Sequence, residues 1–198
     1  MTQVRNPFTY TPQYVYEHHV FVGKGLPKPV IPPCIDDHKA IKATTNSSLI
    51  VIITYDDGCQ QIRKAGTLSW RNNNPGNVTV DLKHNPHAFG AIGFNNSHHH
   101  DFAIYPNEEA GQSAIVSLLR ENKYQVLTLN EAFYKYAPSQ DANNTAAYVR
   151  FVVEKTGIQP ETPMNSLNQA QMLSIANAIK IHEGWRPGLI EWKKAVAP

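Results

Sequence analysis

No run of apolar residues in this chain approaches the ~20 that a membrane-spanning helix needs, the longest being Leu49 to Ile53. A helical membrane span is therefore excluded. Charge is scarce as well: only 17 % of the 198 residues are charged, and 18 basic against 16 acidic side chains leave a net +2. No cluster of Lys or Arg concentrates that charge, so the footprint of a nucleic-acid binder is missing and no nucleic-acid partner is expected. The opening residues, MTQVRNPFTYTPQY, hold no apolar stretch behind a basic start. A Sec-type signal peptide is therefore not expected, and synthesis in the cytoplasm is. Cysteine is limited to Cys34 and Cys59, a count that leaves one disulfide and two thiols equally open. What is present is a hydrophobic fraction of 41 %, enough to bury a core and too much for a chain disordered throughout.

Residues 1–45 differ from the rest. Pro7, Pro12, Pro27, Pro29, Pro32 and Pro33 punctuate the segment, and proline's fixed φ and missing donor exclude long helices there. We read an irregular, Pro- and aromatic-rich extension in which Tyr14 to Val22 suits a strand and Pro32-Pro33-Cys34 a rigid turn. A domain of residues 46–198 follows. Leu49 to Tyr55 is a β-branched run, and Asp56-Asp57-Gly58 before Cys59 to Arg63 signals a hairpin, because Asp-Gly supplies the φ > 0 turn. Residues 66–100 form a long polar stretch of Asn, Gly, Pro and His dotted with Trp70, Phe89, Ile92 and Phe94. Such irregular segments in compact domains are usually functional.

Beyond Asp101 the pattern becomes helical. A short strand, Phe102 to Tyr105, leads to a helix capped by Asn107 and carrying Ala110, Ala114, Ile115, Leu118 and Leu119 at helical spacing. Leu129 to Tyr136, stopped by Pro138, is a second helix, and Thr145 to Lys155, between Asn144 and Gly157, a third. The last clear helix starts at a Ser166/Gln169 capping box and runs to Glu183, before Gly184. A short tail helix is expected around Leu189 to Val196.

The densest local signal is Leu68 to Asn77, LSWRNNNPGN. Asn offers both donor and acceptor, and a Trp face packs on a sugar ring, which suits a carbohydrate cleft; Asn capping and turn chemistry explain the composition equally well. Taken in order, WRNNNPGN, GAIG (Gly90 to Gly93), FAIYPNEEAG (Phe102 to Gly111), YAP (Tyr136 to Pro138), NNTAAYV (Asn143 to Val149) and HEG (His182 to Gly184) resemble a family of phage-associated and type VI secretion-associated proteins. Members of that family are regarded as lysozyme-like peptidoglycan-degrading domains. The resemblance spans residues 65–185. In two places the chain departs from it: the usual Gly-Gly before WRN is Ala65-Gly66, and the Glu that usually follows YAP is replaced by Gln140-Asp141.

The resemblance implies an α+β fold, a mainly helical lysozyme-like domain with a small β-hairpin region behind the extension. It further implies cleavage of the glycan strand of peptidoglycan, by hydrolysis or by a transglycosylase route, in an antibacterial effector or a phage lytic protein acting at the periplasm or cell wall of a target bacterium. The implied partners are the peptidoglycan substrate, a secretion or virion component and, for a delivered toxin, a cognate immunity protein. No cofactor and no metal are expected.

Glycoside cleavage needs a carboxylic acid that donates to the leaving oxygen. Glu183 closes a helix, where the negative end of the macrodipole disfavours a carboxylate and favours the protonated acid. Ile181 to Gly184 is also similar to the segment of lysozyme-superfamily enzymes in which the catalytic Glu ends a helix before a Gly. In those enzymes the β-hairpin follows the helix, whereas here Gly90 to Tyr105 precedes it, which implies a permuted order of parts. Glu109 is a weaker candidate, since with Glu108 it occupies a helix first turn, where the ionised form is favoured. Asp57, a turn residue, is a runner-up.

Trp70, Arg71, Asn72, Asn73, Asn74 and Asn77 are expected to line the cleft, with Arg71 suited to hold a carboxylate. Tyr105 and Tyr136 are assigned to the lining too, although these two and Tyr148 suit the core at least as well. His84, His87 and His98 to Asp101 match no defined zinc signature and read as a solvated loop. Two other readings stay open: an amidase or endopeptidase with Cys59 as nucleophile and a His as base, and a non-catalytic cell-wall-binding module.

Overall fold

The β-branched run after residue 49 builds the middle of a sheet. In the computed structural model, which describes residues 38–194 apart from 48, 98 and 142, β1 (Ala40–Ser47), β2 (Ile50–Tyr55) and β3 (Gln60–Lys64) are consecutive antiparallel strands. The turn expected at Asp56 to Gly58 joins β2 to β3. The Asp57 carboxylate there accepts from the Cys59 amide at 2.9 Å and the Gly58 amide donates to the Tyr55 carbonyl. The fourth strand, β6 (Leu189–Lys193), comes from the far end of the chain and completes the order β1-β2-β3-β6.

A separate hairpin, β4 (Gly93–Ser97) and β5 (His100–Ile104), abuts β1 through the Ala43 amide and Ile92 carbonyl at 2.8 Å. The helices are α1 (Leu68–Arg71), α2 (Glu108–Leu119), α3 (Asn122–Gln125), α4 (Leu129–Tyr136), α5 (Thr145–Thr156) and α6 (Gln169–His182). Packing of α6 on α2 and α5, and of α5 on α4, buries the main core around Ile115, Leu119, Phe133, Val152, Met172 and Ile179. A smaller core of Val51, Ile53 and Ile104 lies between sheet and hairpin.

Capping explains why α2, α4, α5 and α6 begin where they do. Asn107 accepts from Ala110, Thr128 and Glu131 form a reciprocal capping box, and Asn144 accepts from Ala147, each satisfying amides that have no intrahelical partner. At α6 the box is Asn168 with Gln171, not Ser166 with Gln169; Ser166 belongs to the 3₁₀ turn before it.

Three expectations are corrected. The fold is not mainly helical: 41 % of the described residues are helical and 25 % are in strands, distributed over a four-stranded sheet plus the hairpin. The expected tail helix is strand β6, because Ile190 and Trp192 favour a pleated surface and β3 offers an edge that satisfies their backbone. The sheet begins before residue 46, since β1 already pairs from Ala40. The strand expected at Tyr14 to Val22 and the Pro32 to Cys34 turn lie outside the described residues. Among the described residues no helix is long and apolar enough to cross a membrane.

Candidate active site

The polar segment after α1 is an internal brace. Asn72 is wholly buried and its side-chain oxygen accepts from the Asn95 amide on β4 at 3.0 Å, while its carbonyl accepts from the Tyr105 amide. Asn73 donates to the carbonyls of Tyr105 and Pro106, both at 3.1 Å. Asn74 donates to the Val78 and Ala103 carbonyls at 2.8 and 2.9 Å and accepts from the Val78 amide. An Asn amide, with donor and acceptor on one short stem, is suited to tying irregular backbone to a strand edge inside a protein.

The same burial corrects the expected lining. Trp70 is 6 % exposed and sits under the Arg63 guanidinium at 4.1 Å; Arg71 is equally buried and donates to the carbonyls of Ala65 and Gly66. Tyr105 has no exposure at all, and burial raises its phenol. None of Trp70, Arg71, Asn72, Asn73, Asn74 or Tyr105 lines the cleft, because side chains spent on internal contacts present nothing to a solute.

What the brace delivers is Asn77, held at φ 47°. Its side-chain amide donates to Glu183 Oε2 at 2.8 Å, and the Tyr148 hydroxyl donates to Glu183 Oε1 at 2.8 Å. Both carboxylate oxygens are thus held by neutral donors from two different elements. Tyr148, on α5, is almost wholly buried; burial, with the Tyr136 phenol and the Glu183 carboxylate beside it, raises its phenol, so it stays a donor. Its ring stacks on His182 at 3.6 Å and lies 5.1 Å from Phe133. Tyr136 donates to the Gly76 carbonyl at 2.6 Å, steadying the residue before Asn77. Its phenol is raised well above the ordinary range by burial and by Glu183.

Glu183 is fixed from its own side by the end of α6. The Gly184 amide bonds back to the Ile181 carbonyl and the Trp185 amide to the Lys180 carbonyl, the paired contacts of a Schellman motif. Gly184 has the positive φ, 67°, that this motif requires. Lys180, in the last turn, is ion-paired with Glu108 and lies over the Trp185 ring. The following residues are tied down too, since the Thr67 amide donates to the Arg186 carbonyl at 3.1 Å.

Glu183, Asn77 and Tyr136 open onto a cleft of about 910 Å³, near the upper end of the ~300–1,000 Å³ range of ordinary ligand pockets. Phe89 and Phe102 supply aromatic lining where Trp70 was expected, and Gln140, Asn143, Lys123 and Lys135 add polar groups. Asp81 and Glu121 are the other carboxylates of the lining.

Glu109 is exposed in the first turn of α2, and Asp57 is exposed at the β2–β3 turn, where its second oxygen faces His38 at 3.5 Å; neither lines the cleft. The histidines do not converge. His84 pairs with Asp81, and His87 bonds the Ala91 carbonyl. Among the described residues the group that brings His and carboxylates together is His38, Asp56 and Asp57, exposed at that turn. Cys59 is buried and disulfide-bonded, with no free thiol to act as a nucleophile; the chain's other cysteine, Cys34, lies outside the described residues.

The residue that sequence reasoning undervalued is Tyr148. Its signal was positional, a lone aromatic early in the helix after the NNT cap, and an aromatic there reads first as core. No protein-family model matches this chain, and no curated protein matches it.

Proposed function

We propose that the protein cleaves the glycan strand of peptidoglycan between N-acetyl sugars, with Glu183 as the general acid. The observation that carries this reading is one carboxyl group, fixed at a capped helix end, held through both oxygens and facing an open cleft with aromatic and amide lining. In the forward step the Glu183 proton passes to the glycosidic oxygen as the bond from the anomeric carbon breaks, and the leaving sugar departs as an alcohol. The carboxylate so formed is stabilised at once by Tyr148 and Asn77, donors already aimed where negative charge develops. It then takes a proton from the attacking oxygen, that of water or of a hydroxyl of the same sugar, and the acid is regenerated. Phe89 and Phe102 offer apolar faces to sugar rings, and Gln140 and Asn143 offer partners for hydroxyl and acetamido groups.

An amidase using Cys59 is disfavoured by its disulfide. In keeping with the resemblance, the proposed setting is phage lysis, virion entry or type VI delivery to the wall of a target bacterium. A delivered toxin would then meet a cognate immunity protein that blocks this cleft.

The test is mass spectrometry of soluble products after incubation with bacterial sacculi. Disaccharide-peptide fragments are expected, and their reducing ends separate hydrolysis from anhydro-sugar formation. Free stem peptides would overturn the reading in favour of an amidase, and binding without products would reduce the protein to a cell-wall-binding module.

A further inference from the structure

The charged groups of the cleft are nearly all spoken for. Asp81 accepts from His84 Nδ1 at 2.7 Å and from the Lys83 and His84 amides. Glu121 Oε2 pairs with Lys123 Nζ at 2.5 Å, and that ammonium also lies near the Tyr124 ring. Glu183 is held by Tyr148 and Asn77. Lys135 is the exception: it is exposed and lines the cleft, and among the described residues it makes no ion pair or hydrogen bond. It sits in the last turn of α4, one residue before Tyr136, whose hydroxyl braces the backbone of Gly76 beside the acid's partner Asn77. An unpaired ammonium on the wall of a substrate cleft, close in the chain to the reacting centre, is a ready receptor for a negative charge on the substrate.

Resting on the glycan-cleaving reading, we propose that Lys135 recognises a carboxylate carried by the glycan and so makes the cleft select carboxylate-bearing strands over neutral ones. A poly-N-acetylglucosamine chain has no such group. In peptidoglycan the carboxylate has two sources: the stem peptide, or the lactyl ether of a sugar whose peptide has been removed. Either would meet a partly hydrated ammonium at an open wall, so the contact discriminates modestly and weakens with salt.

The experiment measures binding by calorimetry to the full chain carrying Glu183→Gln, which prevents turnover. Three ligands are compared: soluble uncrosslinked glycan strands bearing stem peptides, the same strands stripped by an amidase, and an N-acetylglucosamine hexamer. Adding Lys135→Met is expected to lower the preference for carboxylate-bearing strands over the hexamer roughly two- to fivefold, and Lys135→Arg to restore most of it. Loss confined to stem-bearing strands assigns the carboxylate to the peptide, loss confined to stripped strands assigns it to the freed lactyl group, and loss with both shows that Lys135 accepts either. Retained binding with an unchanged preference ratio would overturn the inference alone. Failure of the Glu183→Gln chain to bind any of the three would overturn the functional reading, and the inference with it.

Discussion

Removing one oxygen atom separates holding from packing at Tyr148. Its ring is fixed by His182, Phe133 and Tyr136 whether or not the hydroxyl is present, so Tyr148→Phe should fold. It loses the hydrogen bond to Glu183, and a bond to a charged group is worth about 1.5–3 kcal/mol, which corresponds to a ~10- to 100-fold fall in turnover. Assays on sacculi check this, and an unchanged rate would remove Tyr148 from the machinery.

The same phenols govern alkaline stability. Burial raises Tyr105, Tyr136 and Tyr148 above their ordinary 10.0 and pushes Tyr124 up to about 12. The folded chain therefore holds these protons more tightly than the unfolded chain. Their contribution is whole below about pH 10 and drains away as pH rises from there through the raised values. The urea midpoint should fall between about pH 8 and about pH 11, and Tyr136→Phe should blunt that fall; an unchanged midpoint would contradict it. Ala65 makes the opposite kind of prediction: it is held at φ 54°, a left-handed conformation costing a non-glycine residue roughly 1–2 kcal/mol. Offset by glycine's greater unfolded-state freedom, Ala65→Gly should stabilise by up to about 1 kcal/mol in urea unfolding.

Between elements, the decisive contact is α2 on the Asn73–Pro75 backbone. A Cβ at Gly111 would come within 1.9 Å of the Asn73 carbonyl oxygen and 2.6 Å of Pro75 Cδ. Gly111→Ala should therefore cost about 2–3 kcal/mol and, by shifting the brace that carries Asn77, lower activity in the fraction that remains folded. Circular dichroism in urea reads the first effect and product release the second. This contact brings WRNNNPGN and EEAG, which stand apart in the sequence, against each other in the fold.

Legibility followed the source of stability. α2, α4 and α5 could be placed from their caps and apolar spacing, and β2–β3 from its Asp-Gly turn, because those determinants are local. β1 could not: a polar, weakly patterned segment such as ATTNS becomes a strand only because a neighbour's edge is there, and the equally polar FNNS of β4 is read as part of a hairpin, Gly90 to Tyr105, only through the resemblance. β6 went astray for the same reason. Glu183, Asn77 and Tyr136, expected as an acid at a helix end and as polar or aromatic groups in the signature segments, are those of the expected residues that line the cleft. The other Asn residues and Trp70 were misassigned, because composition suited to a sugar is also composition suited to bracing a buried loop.

For the molecule as a whole, residues 65–185 form one device. The brace ties α1 to the β4–β5 hairpin and to α2, the α4–α6 packing places Tyr136, Tyr148 and Glu183, and the cleft lies where these meet. Most of the polar signature builds the frame, and a few groups face the cleft. The most direct measurement is the rate at which soluble glycan fragments leave sacculi with wild-type protein and with Glu183→Gln, the two matched by circular dichroism. Loss of the general acid should slow release by ~10²- to 10⁴-fold; release by the variant within a few-fold of wild type would contradict the assignment of Glu183.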